Sequence, residues 1–483
     1  MQSVQTALRA ESSGLSRRSD RSLAEQLSAR FVERIRHRML PPGARLPSVR
    51  ESARRHAVSP STVVAAYDRL LASGLVEARS QRGFFVRDIH PVAARGAVTD
   101  AAEARLPLPI SATTLIRGMF QPPGAKPMPA LGSLPADWLD QQLLTSALRK
   151  GSGSAALAGT SLQYGDPAGE LRLRQALSHK LAEFGVQAGP EQIVTTLGAT
   201  QALDVITRTL LRAGDSVLVD EPGWAVEYAR LAALGMRVLP VPRGADGPDL
   251  AVMQQLIETH QPRLYVTVSV LHNPTGASLS LRCAHQLLQL AQTHALQIIE
   301  DDTYAHLAPP HLPRLAALDG LQRTIYVSGF SKILAPNWRV GFLAAAPALI
   351  DRLVDTKLLS TLTTPSLTEL ALAHCLEQGL LRRHAERVVQ RLDVARARTV
   401  TLAKSHGFEF AAEPRGLFGW VDTGADTEAL AASMLDAGWL IAPGTLFHAL
   451  PRRSTLMRVN FATSQDAAFW RQLRVSCTQL LRG

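Results

Sequence analysis

The segment SGFSKILAPNWRVGF, residues 328–342, contains Lys332 and directly follows a β-branched run, residues 324–327. Three earlier runs of the same kind also lead into polar clusters. They are residues 217–219 before DEPGW (220–224), 264–268 before HNPTG (272–276) and 297–299 before DDTY (301–304). Because helical patterns separate these runs, the sequence predicts an α/β fold with a mostly parallel sheet and helices on both faces. In such sheets, ligand groups lie at the strand ends.

The polar clusters supply the side chains that pyridoxal 5′-phosphate requires. The aldehyde needs a lysine amine to form an aldimine, the pyridinium nitrogen needs a carboxylate, and the ring needs an aromatic face. The phosphate needs N–H groups at a helix start and a cation. The candidates are Lys332 for the aldehyde, Asp301 for the pyridinium nitrogen, Asn273 and Tyr304 for the phenolic oxygen, Trp224 for the ring face, and Gly198, Ala199, Thr200, Ser331 and Arg339 for the phosphate.

Each of these pieces also has a purely structural interpretation. HNPTG could be a simple turn, Asp301 a satisfied carboxylate at a strand end, and Trp224 a core residue. The occurrence of all the pieces in one chain favours a cofactor site over these separate explanations.

Composition places most of the positive charge in the first part of the chain. The 483 residues carry a formal net charge of +11, and residues 1–95 contain seventeen Arg, no Lys and eight acidic residues, a net charge of +9. Such a basic segment predicts a polyanion as partner, although a merely soluble basic surface would give the same charge. The length of the chain predicts two or more domains.

Cysteine use and hydropathy indicate the compartment. Cys283, Cys375 and Cys477 are too widely spaced for a disulfide framework or a zinc site, so no metal is expected. No apolar run approaches the roughly 18 residues of a membrane span, and the first twenty residues lack the apolar core of a signal peptide. A cytoplasmic protein without membrane contact is therefore expected.

The basic segment has the pattern of three short helices and a hairpin. Residues 22–38 place Leu23, Leu27, Phe31 and Ile35 at four-residue spacing, which predicts an amphipathic helix. A second helix is predicted from Ser48 to His56, and a third from the N-cap Ser59, with Pro60 in its first turn, to Ala72. Apolar stretches 75–78 and 84–86 flank the polar turn 79–83, which predicts a β-hairpin.

The segment PPGARLPSVRESARRHAVSPSTVVAAYDRLLASGLVEARSQRGFFV, residues 41–86, resembles the winged helix-turn-helix of GntR-type regulators. The resemblance implies double-stranded DNA as partner, with phosphate or base contacts from this N-terminal domain, here called the head (residues 20–88). The implied DNA-binding residues are Arg45 and Arg50 at phosphates or bases, Ser59, Ser61 and Thr62 in the major groove, Arg82 and Gly83 at the minor groove, and Ser48.

The remainder of the chain resembles the fold-type I aminotransferases. Besides the clusters above, the matching motifs are YGDPAGELRLRQAL (164–177), TTLGATQAL (195–203) and LMRVNFA (456–462). The resemblance implies a large PLP-dependent transferase domain with a smaller C-terminal lobe, built as an obligate homodimer. It also implies that Tyr164 reaches the phosphate of the neighbouring subunit and that Arg458 binds the α-carboxylate of an amino acid. With its head, the whole chain resembles the MocR-type subgroup of GntR regulators.

The predicted domains are a winged helix-turn-helix over residues 20–88, an Ala- and Pro-rich linker over 89–112 and the PLP-binding domain over 113–483. The favoured hypothesis is a DNA-binding transcription regulator that senses PLP or an amino compound through the Lys332 aldimine. The alternative is a PLP-dependent aminotransferase with an appended DNA-binding module. A DNA-binding protein that has lost its cofactor is disfavoured, because Lys332, Asp301 and Arg339 are all present.

Overall fold

The computed structural model describes residues 15, 19–36, 40, 42–79, 82–87, 128–153, 164–450 and 452–482. The predicted linker, residues 89–112, lies outside these ranges, so its composition remains the only basis for that prediction.

The head contains the predicted helices and hairpin. Its elements are α1 (Leu23–Arg36), α2 (Val49–His56), α3 (Pro60–Ala72), β1 (Val76–Arg79) and β2 (Gly83–Val86). Ser48 and Ser59 are the N-caps, because their hydroxyl oxygens accept hydrogen bonds from the backbone N–H groups of Glu51 and Thr62, at 3.2 and 3.1 Å. The two strands pair antiparallel, with Val76 opposite Val86. The head is therefore a winged helix-turn-helix, as its sequence predicts.

Tyr67 lies at the centre of the small core of the head. Its ring contacts Phe31 and Phe84 edge-on, at centroid distances of 5.5 and 5.0 Å, and its hydroxyl donates to the carbonyl oxygen of Pro47 at 2.8 Å. These contacts join α1, α3, the β1–β2 hairpin that forms the wing, and the segment before α2. Leu27, with Phe31 on the predicted apolar face of α1, is also buried there.

The body, which comprises the described residues from 128 onward, is built on a seven-stranded sheet of order β3-β9-β8-β7-β6-β4-β5. Its strands are β3 (Ile193–Thr196), β4 (Ser216–Glu221), β5 (Arg237–Pro242), β6 (Leu264–Thr267), β7 (Gln297–Asp301), β8 (Thr324–Gly329) and β9 (Gly341–Ala344). The ladders among β4 to β8 are parallel, while β9 runs antiparallel to both of its neighbours. The predicted mostly parallel sheet is confirmed.

Helices cover both faces of this sheet, and separate apolar clusters lie on its two sides. The helices of the body up to the smaller lobe are α4 (Gln141–Ser152), α5 (Leu171–Glu183), α6 (Ala199–Leu210), α7 (Ala225–Ala233), α8 (Leu250–His260), α9 (Leu281–Thr293), α10 (Leu315–Asp319), α11 (Pro347–Thr361), α12 (Ser366–Glu377) and α13 (Leu380–Ser405).

The C-terminal lobe has a second sheet, which is antiparallel and has the order β10-β11-β13-β12. Its elements are β10 (Glu409–Phe410), β11 (Phe418–Asp422), α14 (Thr427–Asp436), β12 (Ala442–Pro443), β13 (Leu456–Asn460) and α15 (Ala467–Arg482). The sequence patterns did not mark most of these strands, because two of them are only two residues long. No helix in the described ranges is long and apolar enough to cross a membrane.

We predict that Tyr67 stabilises the head and has no effect on the stability of the rest of the chain. Tyr67→Ala should destabilise the head by about 3–5 kcal/mol, the usual cost of deleting a buried aromatic side chain. Tyr67→Phe should cost only about 1 kcal/mol, because the ring contacts remain and one hydrogen bond is lost. Hydrogen exchange followed by mass spectrometry on the intact chain measures both effects in peptides from α1 and α3. Equal losses for the two variants would contradict this role of the ring, and peptides from α12 serve as the control.

Candidate functional site

The parallel strands bring the predicted polar clusters to one edge of the sheet. β7 ends at Asp301, and β8 ends three residues before Lys332. β6 leads into the HNPTG turn, and β4 ends next to the segment that carries Trp224. The predicted strand-end residues therefore share one edge, although they are separated by up to about a hundred residues in sequence.

Lys332 lies in a partly buried, electropositive position. Its Nζ donates a hydrogen bond to the carbonyl oxygen of Gly132 at 2.7 Å. Burial lowers the pKa of the Lys332 amine to about 8, and the positive charges of Arg458 and Arg339 contribute, while Asp301 opposes the shift. A larger share of this amine is therefore neutral and nucleophilic near neutral pH than of an ordinary lysine.

Arg458 lies on β13 of the smaller lobe and is buried. Its guanidinium donates to Asn273 Oδ1 at 3.0 Å and to the carbonyl oxygen of Ala130 at 2.5 Å. The rings of Phe418 and Phe447 lie 4.4 and 5.2 Å from it. Among the described residues, its Nε has no hydrogen-bond partner. A buried donor without a partner is costly, and a ligand carboxylate would satisfy it.

The backbone segment 129–133 covers this region and is tied to the smaller lobe. The amide of Asn460 donates to the carbonyl oxygens of Leu131 and Ser133, at 2.9 and 2.8 Å. A Cβ atom at Gly132 would lie 3.7 Å from Lys332 Nζ and 3.9 Å from Arg458 Nη2. Any larger side chain at Gly132 would therefore enter the space between the amine and the guanidinium.

Asp301 and Tyr304 extend the site along β7. Asp301 Oδ1 accepts from the backbone N–H of Thr303 at 3.0 Å and from its hydroxyl, and burial raises the pKa of the carboxyl to about 6. A cation next to Asp301 would favour the ionised form, which suits a pyridinium partner. The buried Tyr304 hydroxyl bonds to Asn273, and burial raises the pKa of Tyr304 well above its ordinary value.

The predicted phosphate residues lie at the start of α6. Gly198 precedes this helix with φ of +85°, and a Cβ atom there would approach Arg339 Nη2 to 2.8 Å, so a larger residue would displace the guanidinium. Arg339 Nη2 donates to the carbonyl oxygen of Leu197 at 2.6 Å. The first N–H groups of a helix, here from Ala199 onward, lack acceptors within the helix. Thr200 is exposed and Ser331 half-buried. The geometry suits an anion.

Trp224 and Tyr164 complete the set of predicted cofactor residues. Trp224 precedes α7, is half-buried, and lines a cavity together with Asp301 and His272. Tyr164 is 81% exposed, so its side chain faces outward and does not complete the site of its own chain.

In the head, every predicted DNA-binding residue lies at the surface. Arg45, Ser48, Arg50, Ser59, Ser61 and Arg82 are exposed, and Thr62 and Gly83 are half-buried. Gly83 lies beside the Arg45 guanidinium, since a Cβ atom there would be 3.5 Å from Nε. The Ser59 hydroxyl caps α3 and contacts the hydroxyls of Ser61 and Thr62, both at 2.8 Å, so part of its hydrogen-bonding capacity is already used.

Four residues of the site were not predicted from the sequence. Gly132, Phe418 and Phe447 belong to no motif, and only the fold brings them to Lys332 and Arg458.

Asp220, the fourth, had a signal, since it follows a buried strand. It accepts hydrogen bonds from Tyr265, Thr267 and Arg243, at 2.5, 2.7 and 3.0 Å. Burial opposes ionisation, but Arg243 and His272 hold the pKa of Asp220 below its ordinary value. His272 Nε2 lies 3.7 Å from this carboxylate. Asp220 therefore anchors the end of β6, the strand that leads into the turn with Asn273.

We predict that Lys332 reacts with small amine-modifying reagents at a lower pH than an ordinary lysine does. At pH 8, about half of the Lys332 amine should be neutral, because its pKa is lowered to about 8, whereas an ordinary lysine of pKa near ~10.4 is almost fully protonated. Reductive methylation in the absence of added cofactor, followed by peptide mass spectrometry between pH 7 and 10, measures this. The exposed Lys404 is the control; labelling of Lys332 that rises at no lower pH than labelling of Lys404, each relative to its own plateau, would refute the lowered pKa.

Two family models match the chain. The aminotransferase class I and II family matches residues 133–470, and the gntR family of bacterial regulatory proteins matches residues 23–86. The probable rhizopine catabolism regulatory protein MocR of Rhizobium meliloti is 31% identical over 414 residues, which cover 81% of this chain and 79% of that protein.

Other relatives share the whole arrangement or the body alone. The uncharacterized HTH-type transcriptional regulator YisV of Bacillus subtilis (strain 168) is 26% identical over 472 residues, covering 93% of this chain and 95% of the relative. The crystal structure of LysN, an alpha-aminoadipate aminotransferase from Thermus thermophilus, superposes with a TM-score of 0.67 at 25% identity, covering 73% of this chain and 92% of that one. The body thus has the fold of a fold-type I aminotransferase, and this chain belongs to the aminotransferase class I and II family and, through its head, to the gntR family of bacterial regulatory proteins, as a transcription regulator of the MocR type.

Proposed function

We propose that this regulator binds pyridoxal 5′-phosphate in its body and senses the cofactor, or an amino compound that reacts with it, at Lys332. The observation that carries the proposal is the joint presence of a complete winged helix and a lysine-centred site in one chain. The amine of Lys332 lies within the electrostatic influence of Arg458, Arg339 and Asp301. A body that served only as a scaffold would have no need of this arrangement.

Residues of the body fit the cofactor group by group. Asp301 would hold the pyridinium nitrogen, Asn273 and Tyr304 the phenolic oxygen, and Trp224 a ring face. Arg339 and the start of α6 would hold the phosphate, with Ser331 beside them. When bound, the cofactor supplies an electrophilic carbon and an electron sink. The residues of this chain would orient it and hold beside it the Lys332 amine, whose pKa is lowered to about 8.

Arg458 would select an effector that carries a carboxylate. Its Nε is a buried donor without a partner in the described part of the chain, and Asn273 and two aromatic rings fix its orientation. A bidentate guanidinium–carboxylate pair in this buried position would be strong and geometrically specific. The effector class proposed is therefore an amino acid, with the amine directed at the cofactor and the carboxylate at Arg458.

The head would bind one half-site of operator DNA, and a homodimer would bind two. The exposed Arg45, Arg50 and Arg82 provide phosphate or groove contacts, and α3 would enter the major groove. The spacing of the heads in the dimer then depends on the conformation of the body. A ligand that binds one body conformation better than another would shift affinity for paired half-sites.

An aminotransferase activity is the second candidate, and one observation favours it. The lysine with a lowered pKa, the Asp301 carboxylate and the buried Arg458 are all in place, and the body resembles LysN in fold. Multiple-turnover transamination with a panel of amino acids and 2-oxo acids separates this candidate from a regulator that undergoes at most one slow turnover.

The experiment that tests the regulator proposal measures binding of the purified protein to the DNA upstream of its own gene, with and without pyridoxal 5′-phosphate and amino acids, at several salt concentrations. We expect salt-sensitive, sequence-specific binding whose affinity or stoichiometry changes with the cofactor or with an amino acid. Specific binding that is indifferent to both would contradict the sensing role, and no specific binding together with rapid transamination would favour the enzyme.

Replacement of Lys332 should abolish the visible absorbance of the cofactor-loaded protein. Lys332→Ala removes the amine on which that absorbance, near ~420 nm, depends. Its head should be unaffected, so nonspecific DNA binding should remain unchanged. Lys404→Ala is the matched control and should keep the band. A variant at Lys332 that retains the band at full intensity would refute the assignment of this lysine.

Replacement of Arg458 should remove the response to amino acids and spare the response to amines without a carboxylate. Arg458→Gln keeps a polar side chain but removes the charge and the fork of donors that a carboxylate requires. We expect the apparent affinity for amino acids to fall by about a hundredfold, as for a lost charged hydrogen-bonded pair. Spectral titration of the cofactor-loaded variant measures this; equal weakening for amino acids and simple amines would place Arg458 outside carboxylate recognition.

A further inference from the structure

Two arginines of the head converge on one carboxylate of the body. Arg34, on α1, lies 2.6 Å from Asp436 Oδ1, and Arg55, on α2, lies 3.1 Å from Asp436 Oδ2. The side chains of Arg34 and Asp436 are only 14 and 15% exposed. The carboxylate thus engages one arginine with each of its oxygens. Asp436 also interacts with other groups of the head. Burial lowers the pKa values of Arg30 and His56, and the negative charge of Asp436 opposes that shift.

The contact is placed where a helix end attracts cations. Asp436 is the last residue of α14, and Arg34 also donates a hydrogen bond to the carbonyl oxygen of Leu435 at 3.1 Å. The last carbonyl groups of a helix carry a partial negative charge and lack partners within the helix. A carboxylate at this end is normally unfavourable, and the two arginines offset its charge. The acidic helix end and the basic face of α1 and α2 are therefore complementary.

The same helix belongs to the lobe that carries the candidate effector site. The side chain of Leu435 packs against an apolar cluster that contains Ala442 and Phe447. Phe447 lies 5.2 Å from the Arg458 guanidinium, and Ala442 of β12 is paired with Arg458 of β13. Leu435 and Asp436 are consecutive residues, so a shift of this lobe around a ligand at Arg458 would move the carboxylate that engages the head.

The docked head leaves its predicted DNA-binding residues accessible. Arg50, Ser61 and Arg82 are all exposed while Arg34 and Arg55 are engaged with Asp436. The contact is therefore compatible with DNA binding and would fix the direction in which α3 is presented.

We propose that the acidic end of α14, Leu435 and Asp436, is the surface on which the body holds the DNA-binding head through Arg34 and Arg55, and that this surface transmits movement of the effector-binding lobe to the head. The docking part of this proposal is independent of any cofactor. The transmission part rests on the proposed sensing function.

Distances between spin labels test the docking part. Cys283, Cys375 and Cys477 are buried, so exposed cysteines introduced as Ala29→Cys on α1 and Ala432→Cys on α14 would be labelled selectively. In the full chain we expect a narrow distribution of distances between the two labels. In the Asp436→Ala variant this distance distribution should broaden. The equilibrium constant for docking of the head should fall about tenfold, equivalent to about 1.4 kcal/mol. Glu386→Ala, which removes an exposed pair on α13, should leave it narrow.

Charge reversal separates docking from misfolding. Asp436→Arg should release the head, and combining it with Arg34→Asp and Arg55→Asp should narrow the distribution again in part, because the pairs with residue 436 form with opposite polarity while the Arg55–Glu51 pair is lost. Broad distributions in the unaltered protein, or no effect of Asp436→Ala, would overturn the docking surface.

The transmission part has a separate readout. Asp436→Ala should bind the cofactor and a single DNA half-site as the unaltered protein does, while the change in affinity for paired half-sites on addition of an amino acid should fall at least about threefold toward no change. A full response in this variant would overturn transmission. If the unaltered protein itself shows no response to cofactor or amino acid, the proposed sensing function fails, and the spin-label comparison still decides the docking surface.

Discussion

Parallel pairing of four adjacent strands, β4, β6, β7 and β8, is the constraint on which the rest of the body depends. Strands that run in one direction end at one edge of the sheet, so the loops that follow them meet there. Each crossover helix returns the chain to the opposite edge of the sheet, so the edge at which the strands end stays free for polar side chains. The site therefore collects residues from distant parts of the chain, and its geometry follows from the direction of the strands.

The electrostatics of the site follow from burial at that edge. Lys332 has two arginines and one carboxylate as its charged neighbours, so burial and net positive charge both disfavour its ammonium form. The same burial raises the pKa of Asp301 to about 6 and leaves a donor of Arg458 without a partner among the described residues. Without a ligand these groups are costly to the fold. A ligand that is cationic near Asp301 and anionic near Arg339 and Arg458 would compensate all of them.

The smaller lobe contributes both to the candidate site and to the contact with the head. Its strand β13 carries Arg458, and its helix α14 ends at Asp436, where two arginines of the head converge. The segment 129–133 is hydrogen-bonded to the same lobe while it contacts Lys332. Consequently, the lobe contacts the site, the covering segment and the head at once. A rearrangement of this lobe is the simplest physical means of relating a small ligand to the position of a DNA-binding domain.

The sequence alone determined the local structure of the head and the order of the polar clusters in the body. The serine caps, Pro60 and the four-residue apolar spacing in α1 act over a few residues, so they could be predicted to within a residue or two. The position of Lys332, Asp301 and Asn273 near strand ends could be predicted because each follows a recognisable strand pattern. The tertiary structure alone decided the contacts that no local pattern encodes: the carbonyl of Gly132 at the lysine, the rings of Phe418 and Phe447 at Arg458, the antiparallel β9, and the engagement of Arg34 with Asp436. Most of these contacts join segments that lie far apart in sequence, and only the packing of the lobes sets the distances between them.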